Sequence, residues 1–95
     1  MPAIGVITLE LHIEHSHSLK DKRHVVKSLK ERLRNKHNVS IAEIDVQDTW
    51  QSATLAAVTI SDSRARAEQV LLGVENDAAA ALGGSLIRSV IDWIE

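Results

Sequence analysis

Residues 3–14 alternate between two kinds of side chain. Gly5, Ile7, Leu9, Leu11 and Ile13 fall on one side of an extended chain, and Ile4, Val6, Thr8, Glu10, His12 and Glu14 on the other. A period of two predicts a strand over Ala3–Glu14 with one buried and one mixed face. The period then changes. From Ser18 to His37, Val26, Leu29 and Leu33 recur at steps of three and four, flanked by Leu19 and Val25, which predicts an amphipathic helix. Ser18, with Asp21 three residues on, gives a start of the capping-box kind, and His37-Asn38 supplies the stop because Asn tolerates the left-handed conformation.

Residues 39–46 carry Val39, Ile41, Ile44 and Val46, a second strand whose alternation slips near Ala42-Glu43 and so predicts a bulge. The polar run Gln47-Asp48-Thr49-Trp50-Gln51 reads as a hairpin connection. Ala53–Ser61 is a third strand, nearly apolar on both faces as a central strand should be. Ser61-Asp62-Ser63 offers N-caps for a second helix with apolar positions Ala67, Val70, Leu71, Val74, Ala78 and Leu82. Gly83-Gly84 ends it, and Ser85–Ile94 forms a fourth strand.

The order is β-α-β-β-α-β, the split βαβ arrangement of an α+β, ferredoxin-like fold: one domain over residues 1–95, with two helices on one face of a four-stranded antiparallel sheet. The other face would carry Ile4, Val6 and Thr8 beside Leu55, Ala57 and Thr59. That is apolar for a solvent face and predicts a homodimer.

Charge sharpens the picture. The chain has 11 Lys and Arg and a net charge of −2, yet eight of those cations lie in Ser18–His37, against Asp21 and Glu31 alone. At about 100° per residue, Lys20, Arg23, Lys27, Lys30 and Arg34 fall on one narrow line beside the apolar stripe, with Lys22, Arg32 and Lys36 on its other shoulder. One reading is a solvated face whose stems cover the core edge. The other is a ridge that meets an anionic partner such as RNA phosphate.

Composition removes several classes. No cysteine means no disulfide, no thiolate nucleophile and no Cys-ligated zinc. No run approaches the ~20 apolar residues that cross a bilayer, and no signal peptide is visible, so a cytoplasmic location is expected. Trp50 and Trp93 are the only aromatic residues. The central strands therefore lack the stacking residues of an RNA-recognition motif, and any nucleic acid would be held through phosphates. The loop after the first strand, His15-Ser16-His17-Ser18, has neither the Gly nor the Arg of an acylphosphatase phosphate cradle.

Three constellations remain. His12, His15 and His17, with Glu10 and Glu14 nearby, have side chains suited to a divalent ion, but their spacing matches no zinc motif and polar strand-end roles are favoured. Glu43, Asp45 and Asp48 form an acidic hairpin without a phosphate-cradling loop, suited to pairing with a partner. Trp50 in its polar loop is either a contact residue or a cap on the sheet end, and Trp93 is core or dimer interface.

The strand VITLELHI, the helix start Ser18-Leu19-Lys20-Asp21-Lys22-Arg23 and the hairpin NVSIAEIDVQDTWQ together resemble the YlxP-like family of small bacterial proteins, from about Ile4 to Asp92. The resemblance implies a ferredoxin-like fold and a cytoplasmic bacterial protein. Genes of the family often sit near those for translation initiation and ribosome maturation factors, which implies contact with ribosomal RNA. It supplies no catalytic residue. The expected function is thus a non-enzymatic accessory protein touching structured RNA through Lys20, Arg23, Lys27, Lys30 and Arg34, with Trp50 and Asp48 as partner contacts and no metal or cofactor. The alternative is a protein-interaction or small-ligand module using the open sheet face or the acidic hairpin.

Overall fold

A computed structural model describes residues 1–14, 16–45, 49 and 51–94. The elements follow the predicted order: β1 (Ala3–His12), α1 (Leu19–Lys36), β2 (Ser40–Asp45), β3 (Ser52–Ser61), α2 (Arg64–Leu82), a 3-10 turn (Gly83–Ser85) and β4 (Leu86–Ile94). The strands form one antiparallel sheet in the order β2-β3-β1-β4. Each helix thus connects two parallel strands with a third between them, the ferredoxin-like α+β fold.

Helix starts follow the sequence closely. The Ser18 hydroxyl accepts from the Asp21 N–H at 3.1 Å, and Ser63 accepts from Arg66 N–H at 3.3 Å, each satisfying one free donor of a first turn. The Asp21 carboxylate reaches back to the His17 N–H at 3.1 Å rather than to Ser18. Gly83 ends α2 at φ 56°, a conformation that glycine adopts without a Cβ penalty. The end of α1 differs from expectation. Asn38 is not left-handed; His37 turns extended at φ −129°, and its ring is held by Asp77 of α2.

The core lies between the helices and one face of the sheet. Ile7, Leu9 and Leu11 of β1 and Ala53, Leu55 and Ala57 of β3 meet Val26, Leu29 and Leu33 of α1 and Leu71, Val74 and Ala78 of α2. Burying each large aliphatic side chain contributes roughly 1.5–3 kcal/mol. Gly5 lets α2 approach: a Cβ there would stand 2.7 Å from Leu71 Cδ1 and 2.9 Å from Trp93 Cζ3. Trp93 therefore belongs to the helix face, with the Arg64 guanidinium 4.4 Å above its ring.

The register corrects one expectation. Leu9 pairs with Leu55, Ile7 with Ala57 and Gly5 with Thr59, and directly opposed residues share a face. Leu55, Ala57 and Thr59 are therefore under the helices, and Thr59 is satisfied there by the Asn38 carbonyl at 2.8 Å. The open face instead carries Thr54, Ala56, Val58 and Ile60 beside Glu10, Thr8, Val6 and Ile4. It is still apolar at one end, where Ile4 stands between Ile60 and Ile94. The predicted bulge on β2 falls between Glu43 and Asp45, and a second irregularity separates Glu10 from Leu11 against β4.

Candidate functional site

The sequence of α1 is rich in Leu, Lys, Arg and Glu and holds no Gly or Pro, so its 18 residues form an unbroken helix whose cations keep their spacing. Arg23, Lys27, Lys30 and Arg34 line one groove with Val26, Glu31 and Glu43 of β2, about 390 Å³ in volume. At 1.5 Å of rise per residue the four cations cover about 16 Å of helix axis. Among the described residues, no carboxylate pairs with any of the four. Lys20 stands apart from them. It borders a second hollow with Ile13, Ser16, Asp21, His24 and Val25.

Lys22 does not stand on a solvated shoulder. It is 5% exposed, in the same stripe as Val26, Leu29 and Leu33. Its ammonium donates to the Thr49 carbonyl at 3.0 Å and lies 3.9 Å from Glu43. Burial of an ammonium is costly unless charge and hydrogen bonds compensate, and both do here. The signal was in the spacing: Lys22 precedes Val26 by four residues, as Val26 precedes Leu29 by three. The same corner is tied twice more, by Ile13 N–H to the Gln51 carbonyl at 2.7 Å and by the Gln51 amide to the Glu14 carbonyl at 3.4 Å. Lys22 near the start of α1 and residues Thr49 and Gln51, far apart in sequence, thus share one corner of the molecule.

The other candidates sort as follows. Asp48, Trp50 and His15 lie outside the described residues. His12 is half-buried at the end of β1 and His17 is exposed; among the described residues no three of His, Asp and Glu are grouped to hold a metal ion. Glu43, assigned to an acidic hairpin, faces Lys22 of its own chain.

One pair carried no signal in the sequence. His37 Nε2 lies 2.6 Å from Asp77 Oδ2, and Lys36 Nζ lies 3.6 Å from the other carboxylate oxygen. Gly73 makes room, since a Cβ there would stand 3.0 Å from His37 Cε1. The hydrogen bond from His37 holds the Asp77 carboxyl below its ordinary range; burial opposes this more weakly, and the charges of Lys36, His37 and Arg32 add to it. The pair fixes the end of α1 against α2.

No described helix is long and apolar enough to cross a membrane. Among solved structures, the chain is similar to the de novo designed protein Foldit4, with a TM-score of 0.62 and 10% identity over 100% of this chain and 98% of the other. It is also similar to a dimeric ferredoxin-like protein of unknown function from Thermobifida fusca, with a TM-score of 0.51 and 14% identity over 96% and 90% of the two chains. Identities this low speak for the fold alone. The curated relative is closer in sequence: the uncharacterized protein YlxP of Bacillus subtilis (strain 168) is 44% identical over 68 residues, 72% of this chain and 74% of its own length. Residues 4–92 match the family described as protein of unknown function (DUF503), and the chain belongs to that family.

Proposed function

We propose that the chain is a non-enzymatic, cytoplasmic accessory protein that contacts structured RNA, ribosomal RNA included, through the basic wall of the α1–β2 groove, and that it acts as a homodimer. One observation carries this reading. Arg23, Lys27, Lys30 and Arg34 converge on one groove, where four cations outnumber the two carboxylates of Glu31 and Glu43, and among the described residues none of the four is in an ion pair. Long cations at this spacing suit a run of phosphates, and the absence of aromatic residues from β1 and β3 leaves no platform for stacked bases. Lys20, one turn before Arg23 but bordering the neighbouring hollow, would be reached only by a strand that runs on past the groove. The ferredoxin-like protein of Thermobifida fusca is dimeric, which lends support to the second half of the reading.

Binding of this kind is sensitive to salt and tolerant of sequence. Three to four phosphate contacts give a log–log salt slope of roughly −2 to −4. The test is co-sedimentation with ribosomal subunits, and filter binding to bulk RNA, across a salt series. Salt-sensitive binding that is lost in Lys27→Glu/Lys30→Glu is the expected result. Absence of binding at low salt, or binding indifferent to the double variant, overturns it.

A further inference from the structure

The open face of the sheet is ordered in rows across the strands. Ile60, Ile4 and Ile94 form the first row; Ser40, Val58, Val6 and Asp92 the second; Ala42, Ala56, Thr8 and Val90 the third; Asp45, Thr54, Glu10 and Arg88 the fourth. Ser52 and His12 close the far end. Ile60 and Ile94 are 57% and 53% exposed, and both helices lie on the opposite side. Among the described residues the face has no Phe, Tyr or Trp and one Lys or Arg, Arg88, which makes it unsuited to nucleic acid.

We infer that a second copy of this chain covers this face, through a two-fold axis that runs along the strands between β1 and β3. The inference rests on the homodimer proposed above and fixes its geometry. Four strands about 4.8 Å apart and about 3.4 Å per residue over ten residues give a footprint on the order of 600 Å² per copy. Two copies then bury about 1,200 Å², the lower end of what a specific dimer needs. The rows decide the axis. A two-fold along the strands sets β2 over β4 and β3 over β1, so facing residues of each row match: Ile60 on Ile4, Val58 on Val6, Ser40 on Asp92, Thr54 on Glu10. A two-fold across the strands at full overlap would set Asp92 on Arg88, but it would also put Ile4 on His12, Ile60 on Ser52 and Val6 on Glu10. One ion pair at the rim does not offset three apolar side chains set against polar ones. Both helical layers then face outward, and the dimer carries two basic grooves on opposite sides.

Sedimentation equilibrium near 100 µM, with Ile60→Lys and with Leu72→Lys on the exposed side of α2, tests the face. A dimer lost in the first and kept in the second, with unchanged circular dichroism in both, is expected. A monomeric wild type overturns the homodimer itself. A dimer that survives Ile60→Lys overturns only its placement on this face. The axis is tested in the cysteine-free chain by mixing Ser40→Cys with Asp92→Cys and adding a bis-maleimide about 10 Å long. Sheets packed face to face are about 10 Å apart, so positions 40 and 92 meet at that distance, whereas two copies of either position stand about 17 Å apart. Cross-linked dimer from the mixture but from neither variant alone is expected. Cross-linking in a single variant, or none in the mixture, overturns the axis.

Discussion

The two faces of the sheet come from the same strands, one residue out of phase, and their fates are opposite. Leu55 has no exposed surface, while Ile60, five residues on in β3, is 57% exposed. On the covered face the large aliphatic residues meet two helices whose small positions, Ala67 and Ala78, allow close approach. On the open face the apolar residues are gathered at one end, and Glu10, Arg88 and His12 occupy the other. A core is apolar throughout, whereas the open face is apolar at one end and polar at the other. The difference between the faces is therefore one of pattern as much as of exposure.

The largest expected effect breaks the covered face. Leu55→Ala leaves a cavity among packed side chains and should cost about 2–5 kcal/mol in urea unfolding. Ile60→Ala, on the open face of the same strand, should cost well under about 1 kcal/mol in dilute monomer. Equal losses would mean that the open face is also enclosed. Next in size is Gly5→Ala. Its added Cβ would stand 2.7 Å from Leu71 and 2.9 Å from Trp93, so one side chain must move. Overpacking of this kind costs about 1–3 kcal/mol, and a red shift of Trp93 emission would report which side chain yields.

The topology was legible in the sequence because the periods change cleanly from two to 3.6 and back, with Ser, Asp and Gly at the boundaries. The assignment of faces was legible for β1, where polar residues mark the open side, and failed for β3. There the small residues of 53–59 read alike on both faces, and register against β1 decides. The groove cations were legible from helical spacing. Lys22 was visible only as a lysine in an apolar register, and reading it needed the Thr49 carbonyl. His37 and Asp77, 40 residues apart, came together through the packing of two helices, which no local pattern encodes.

Lys22 and Lys27 extend the contrast of covered and uncovered surface to a single residue type on one helix. Lys22→Met keeps the stem but leaves the Thr49 carbonyl without this donor and Glu43 without its cation, and should cost about 1–3 kcal/mol. Lys27→Met exposes no orphaned group and should fall within about 0.5 kcal/mol of wild type. Similar losses for the two would remove the distinction between the buried Lys22 and the groove wall.

The smallest effect concerns the seam between the helices and appears only in acid. Asp77 titrates below its ordinary value in the folded chain because His37 donates to it. A carboxyl of lowered pKa contributes stability that is present above the unfolded-state value, about 3.9, and lost as the pH falls through the folded value. Asp77→Asn removes that contribution and with it that part of the pH dependence. Urea midpoints measured from pH 6 down to pH 2 should therefore show wild type above the variant near neutrality, with the two converging in acid. Parallel curves over the whole range would mean that Asp77 holds α1 against α2 by shape alone. The ties that fix the helical layer would then be Lys22 at one end of α1 and apolar packing along the rest.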